Sequence, residues 1–144
     1  MPSKSAGAYL RGDNVYLHSE SQTTAGVWIL SLPVLGYLAI NVPEISNSIR
    51  TVLRSSKQGI AHPISWAGGF NPVLHLAKVR SYSAFMKSAQ CVQIGLNGAD
   101  VSFTPMKNEG PREGYSYLVG KTLHHSVGAE DLGTKLLEAF VLCE

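Results

Sequence analysis

Charge is scarce in this sequence: Asp, Glu, Lys and Arg make up 15% of its 144 residues, against roughly 25% in ordinary soluble domains. Fewer charges leave less to keep partners away, which favours an interface. What charge there is nets to +2. The basic residues are scattered, with Arg50, Arg54 and Lys57 in one stretch and Lys78 and Arg80 in another. Nucleic-acid-binding domains cluster their Lys and Arg on one face, so direct binding of nucleic acid is not expected. Cysteine occurs only as Cys91 and Cys143, far apart and in no Cys-x-x-Cys pair. Two reduced thiols are expected, with Cys91 packed in an apolar strand as a small hydrophobe. The opening Met1-Pro2-Ser3-Lys4 lacks the apolar core of a signal peptide. The longest apolar stretch, Val27 to Val42, is broken by Pro33, Gly36 and Asn41 and is shorter than the ~20 residues of a membrane span. The expectation is a cytoplasmic protein with no membrane segment.

Catalytic signatures are also missing. No Gly-x-Ser-x-Gly elbow, phosphate loop or dinucleotide fingerprint occurs. His-x-His, His-x-x-x-His and Cys-x-x-Cys metal spacings are absent too. The neighbours His124 and His125, on a strand, would point to opposite faces and cannot chelate one ion. His18, His62 and His75 stand alone. Glu130-Asp131 reads as acid in the first turn of a helix, where the dipole favours it. The best enzyme that can be assembled is an RNase-like pair of His62 with His124 or His125. The expectation is no catalysis, no metal and no cofactor, with a small RNA-binding or RNase-like domain using His62 and His124 as the alternative.

What is present is a core. Hydrophobic residues are 44% of the chain, and a chain of this length buries roughly 70% of its unfolded surface. One domain spanning 1–144 is expected. Residues 1–13 read as polar, ending in the turn Gly12-Asp13-Asn14. Strands are expected at 15–18 and 27–30, with 34–40 either a third strand or a bent continuation of the second and Pro33 marking an edge or a break. Gln22-Thr23-Thr24 reads as a loop. Pro43 suits the first turn of a helix, and Ile45, Ile49, Val52 and Leu53 fall on one face of it, predicting a helix over 43–57 stopped by Gly59. The stretch 61–72 reads as a loop carrying Trp66 and Phe70. Short helices follow within 72–88, one opened by Asn71-Pro72 and one capped by Ser81. The alternating runs 91–96 and 101–105 flank Asn97-Gly98, a strong hairpin signal. A polar loop at 107–114 leads into a strand over 115–121. Leu132, Leu136, Ala139 and Phe140 predict a closing helix over 129–142. Helices 43–57 and 129–142 share their apolar spacing, as a pair of strand–strand–helix halves would. The fold class is α+β, a single domain with a mostly antiparallel sheet and packed helices.

Two loops suit recognition. The segment 107–117 mixes both charges with two tyrosines, and Tyr and Arg anchor interfaces more often than other residues. Its candidates are Glu109, Arg112, Glu113, Tyr115 and Tyr117, with Tyr115 alternatively a core strand residue. Trp66 is the candidate in the other loop.

Several segments, in order and spacing, resemble the immunity proteins of contact-dependent growth inhibition systems, the CdiI family. They are Gly26-Val27-Trp28-Ile29, the helix around Ile45 to Ser56, and Ser81-Tyr82-Ser83-Ala84-Phe85. Phe103 to Asn108, Gly114-Tyr115, Asp131-Leu132-Gly133 and Leu137 to Cys143 complete the likeness, which covers about 24–143. Position 82 is Tyr where the resemblance leads one to expect Trp. The resemblance implies a bacterial cytoplasmic protein that forms a heterodimer with a cognate toxin domain, the C-terminal part of a large exported effector. Such toxins are commonly nucleases, often ones that cut transfer RNA. Immunity proteins against nucleases are often acidic, whereas this chain is slightly basic, which argues against neutralisation by overall charge.

Overall fold

The computed structural model describes residues 2–144. In chain order the elements are β1 (Lys4–Arg11), β2 (Asn14–Thr23), β3 (Trp28–Leu38), α1 (Val42–Arg54), β4 (Gln58–Ile60), α2 (Asn71–Ala77) and α3 (Tyr82–Met86). They continue with β5 (Ala89–Asn97), β6 (Asp100–Asn108), β7 (Tyr115–Tyr117), a single 3-10 turn (Val119–Lys121), β8 (Leu123–Ser126) and α4 (Leu132–Val141). Among the described residues the strands make one sheet in the order β3-β2-β1-β5-β6-β7, with β8 also on β6 and β4 on β2. All pairings are antiparallel except β4 with β2. The α+β class and the predominantly antiparallel sheet are as expected.

The largest correction is β1. Residues 4–11 form a central strand, paired on both sides by β2 and β5. Ala6 and Ala8 are small and Ser5 is polar, so hydrophobicity is a weak signal here; burial on both faces comes from the neighbours. The strand then continues through β2 to Thr23, absorbing two residues of the expected loop. Pro33 does sit on an edge strand. The register of β2 with β3 jumps from His18↔Val34 to Ser19↔Ser31, so Leu32 and Pro33 bulge from the ladder and the prolyl nitrogen breaks no pairing. Helix α1 ends at Arg54 rather than 57, because Gln58 to Ile60 are drawn out to pair with β2. The strand expected over 115–121 is confined to 115–117, and the next strand starts at Leu123. Helix α4 begins at Leu132, later than the expected 129. The hairpin of β5 and β6 is present, with Asn97 paired to Asp100 across a turn at Gly98-Ala99.

Strand alternation divides the core in two. One face carries Ala6, Ala8, Val15, Leu17, Val92, Ile94, Val101 and Phe103 against α1 and α4. From the helices come Ile45, Ile49, Val52 and Leu53, and Leu132, Leu136, Ala139 and Phe140, all buried. These are the two apolar stripes legible in the sequence. The opposite face carries Tyr9, Tyr16, Cys91 and Met106 under α2 and α3, with Val73, Leu74 and Phe85. Tyr9 meets Phe70, Phe85 and Tyr115 edge to face at 5.3–6.0 Å, a geometry that adds to burial. Phe70 is thus partly buried, packed against this cluster. Ser81 caps α3 as expected, accepting from the Ala84 amide at 3.2 Å.

Helices α1 and α4 meet at Gly133. Its amide donates to Ser46 Oγ at 2.8 Å, so α1 supplies the cap for the start of α4. A Cβ at Gly133 would lie 2.8 Å from the Val42 carbonyl oxygen. An Ala in a free helix would be favoured by about 1 kcal/mol over Gly. Here the backbone cannot give way, and we expect Gly133→Ala to destabilise the fold by about 1–3 kcal/mol. Urea unfolding of the two proteins measures this; a stabilised variant would show that the helices are free to separate.

Candidate functional site

Helices α2 and α3 cover only part of the second sheet face. Beyond them lies an open cleft of about 670 Å³. Alternation explains its floor: Ser5, Gly7 and Tyr9 share one side of β1, and Glu20, His18 and Tyr16 lie opposite them on β2. Gly95, Gln93 and Cys91 lie opposite on β5. Under the helices this row is aromatic; in the cleft it is small and polar. Trp28, which pairs with Gln22 at the start of β3, stands at one side. Tyr117 of β7 and Val119 of the 3-10 turn stand at the other.

The polar centre is Glu20. Its Oε1 accepts from Ser5 Oγ at 2.7 Å and from Gln93 Nε2. The two hydrogens of Gln93 Nε2 are shared among Glu20 Oε1, Ser5 Oγ at 2.7 Å and the Ala6 carbonyl at 3.1 Å. Three strands therefore hold one carboxylate oxygen. No Lys, Arg or His among the described residues forms an ion pair with Glu20. Next to it His18 is wholly buried between Tyr9, whose ring stacks at 5.8 Å, and Gly7. A Cβ on Gly7 would come within 2.4 Å of His18 Nε2, so only glycine admits the ring. His18 Nδ1 donates to the Ser19 carbonyl at 2.9 Å. Burial holds this imidazole below its ordinary value of 6.5, with the Glu20 charge pulling the other way.

The residues proposed from sequence are dispersed. Tyr117 is exposed and lines the cleft. Tyr115, two positions earlier on the same side of the strand, turns into the aromatic core, where its hydroxyl donates to the Ala89 carbonyl at 2.8 Å. Burial raises its phenol pKa. Arg112 and Glu113 are exposed at the tip of the loop between β6 and β7. Glu109 accepts from Ser116 Oγ at 3.1 Å and lies 3.8 Å from Lys107 Nζ. Trp66 belongs to the opposite edge: it packs edge to face on His62 and borders a groove with Ile29, Leu30 and Phe70. Both loops thus flank the same sheet face. Ser5, Glu20, Trp28 and Gln93 escaped the sequence reading. The one available signal was period-2 alternation through Glu20, flanked by Ser19 and Ser21, and it becomes informative only once the facing strands are known.

The histidines do not converge. His62 bonds Thr23 at 3.0 Å beside β2. His124 and His125 lie on β8 at the other side of the sheet, bonding Asp100 at 2.9 Å and Asp131 at 2.6 Å respectively. The two neighbours do point to different faces. Among the described residues no three His, Cys, Asp or Glu side chains gather as a metal site. Both cysteines are free; Cys143 Sγ lies 3.3 Å from the Cys91 carbonyl, and burial pushes the Cys91 thiol pKa up, away from the reactive thiolate. No helix is long and apolar enough to cross a membrane among the described residues.

No protein-family model and no curated protein matches the chain. Solved structures do. A protein of unknown function from Neisseria meningitidis matches with a TM-score of 0.79 at 13% identity, over 98% of this chain and 95% of that one. A chain of the CdiA-CT/CdiI toxin and immunity complex from Yersinia pseudotuberculosis matches with a TM-score of 0.77 at 12% identity, over 100% of this chain and 99% of that one. At these identities the likeness is one of fold, and it extends over the whole domain.

His18 makes the fold acid-sensitive. Its folded pKa lies below its unfolded one, so above about pH 6.5 both states are neutral there and its contribution to stability is complete. As pH falls below that value the unfolded chain takes up a proton that the native ring refuses, and stability declines. Asp131, held low by the hydrogen bond from His125, acts only in the acid range below ordinary carboxylate titration. The urea midpoint should therefore fall between pH 7 and pH 5 in the native protein, and His18→Gln should flatten that slope. An equal slope in both would assign the effect to another group.

Proposed function

We propose that this protein is an immunity protein of a contact-dependent growth inhibition system. It binds the cognate C-terminal toxin domain of an effector delivered by a neighbouring bacterium and neutralises it in the cytoplasm as a heterodimer, with no catalysis of its own. The toxin is a nuclease. The observation that carries this reading is the full-length likeness of fold to a chain of a toxin and immunity complex. The sequence resemblance over 24–143 supports it, as does the dispersal of His62 and His124, which deprives the RNase-like alternative of its pair.

The sheet face between the two aromatic loops is the surface best suited to the toxin. Tyr117 and Trp66 are 58% and 61% exposed, too much for core residues of their size. Arg112, Glu113 and Glu109 supply charges at the rim, where mismatch disfavours other toxins. A standard interface of about 800 Å² per partner has room for both loops. Tyr115 supports this surface from beneath.

The test is expression beside the toxin domain encoded by the adjacent upstream open reading frame. Protection from that toxin and not from unrelated ones is expected. Alanine at Tyr117 or Arg112 should weaken toxin binding by more than about 1 kcal/mol at unchanged melting temperature, whereas Tyr115→Ala should lower the melting temperature first. Binding unaffected by any of these substitutions, or by Trp66→Ala, would move the interface elsewhere. Failure of the native protein to bind or protect would defeat the immunity reading.

A further inference from the structure

The cleft over β1, β2 and β5 has a composition that selects one kind of occupant. Among the described residues Glu20 is the only charged one that lines it. The carboxylate is oriented by Ser5 and Gln93, both of which bond Oε1. Its second oxygen, Oε2, takes no hydrogen bond from the described residues. Gln93 Nε2 is spent on Glu20, Ser5 and the Ala6 carbonyl, which leaves the amide oxygen as a further acceptor at the same place. At its floor the site thus offers acceptors and a negative charge, with the Ser5 and Gln93 donors already engaged. Trp28 and Tyr117 stand on its two sides, and aromatic faces attract a cation within about 6 Å of the ring. Ser5 and Gly95 keep the floor low, so a long side chain can reach the carboxylate.

We infer that this cleft is the socket for a cationic side chain, an arginine or lysine, presented by the partner protein. The inference rests on the immunity reading for the identity of the partner and on the cleft alone for the chemistry. Charge complementarity selects the occupant: an apolar anchor would bury Glu20 unpaired, and an acidic one would meet a like charge, each at a cost. A guanidinium pairs with Oε2 and the Gln93 oxygen through parallel N–H groups while its plane lies against an aromatic ring. This also reconciles a net charge of +2 with a basic partner. A nuclease carries cations where it binds phosphate, and one carboxylate in a sheltered cleft can engage such a cation without an acidic surface overall. A free small cation, a stacked nucleotide base and a second copy of this chain are the competing occupants.

Two measurements separate the possibilities. In the first, N-acetyl-arginine amide is titrated into the native protein and followed by amide and indole NMR shifts. Shifts confined to Gln93, Gly95, Ser102 and the Trp28 indole are expected, absent with the neutral citrulline analogue and absent in Glu20→Gln. Equal shifts with citrulline, or none with arginine, would overturn the cationic socket. In the second, toxin-domain affinity is measured for the native protein, Glu20→Gln and Trp28→Phe, with melting temperature beside each. Glu20→Gln should raise Kd about tenfold or more at unchanged melting temperature, and raised salt should narrow the difference. Trp28→Phe, which keeps an aromatic face, should lose less. If arginine fills the cleft but Glu20→Gln binds toxin as tightly as the native protein, the occupant is not the partner's side chain and the proposal falls. If the native protein binds no toxin at all, the immunity reading falls, while the arginine titration still decides the chemistry of the cleft.

Discussion

The pairing of β1 with β5, from Lys4↔Leu96 to Arg11↔Ala89, is the constraint on which the rest of the molecule depends. It joins the meander β1-β2-β3 to the hairpin β5-β6, two units distant in sequence. Without it the helices α1 and α4 would each have half a sheet to pack on. With it, Ala6 lies between Ser19 and Ile94 and Ala8 between Leu17 and Val92, in a single buried floor under both helices. The small side chains on β1 let the helices sit close, and Gly133 with Ser46 brings α1 and α4 into direct backbone contact.

The same strand organises the opposite face through its other alternate residues. Tyr9 seeds the aromatic cluster under α2 and α3. Gly7 makes room for the buried ring of His18, and Ser5 bonds Glu20. Along three consecutive outward positions of one strand, the surface passes from dry aromatic core through a buried imidazole to an open polar cleft. Pre-organisation follows from this continuity. Glu20 is held by groups on rigid neighbouring strands, and its immediate neighbour in the row is packed without space to move.

This face of the sheet divides between a stiff centre and less constrained edges. The cleft is built on strands, where backbone pairing sets side-chain positions. The loop residues 61–69 and 109–114 are tied less closely to the sheet and can change sequence with less effect on either core. A partner engaging all three would gain orientation from the centre and discrimination from the rims. The fold itself recurs nearly full length in other proteins at 12–13% identity.

The sequence by itself determined those elements whose chemistry is local. The stripes Ile45-Ile49-Val52-Leu53 and Leu132-Leu136-Ala139-Phe140, the Ser81 cap and the β5–β6 hairpin are all written in residues within a turn or two of each other. The edge position of Pro33 is likewise local, because the missing N–H excludes a central ladder. Tertiary structure alone decided the rest. Residues 4–11 are a central strand because β2 and β5 bury them, not because Ser5, Ala6, Gly7 and Ala8 favour a strand. Tyr115 packs against the aromatic core and Tyr117 is exposed although each is a tyrosine two positions from the other, since one lies against Tyr9 and the other over the cleft. Glu20, Ser5 and Gln93 come from strands up to 88 residues apart in the chain. A carboxylate becomes a site only when three backbones bring its partners within hydrogen-bonding distance, and no spacing along the chain encodes that register.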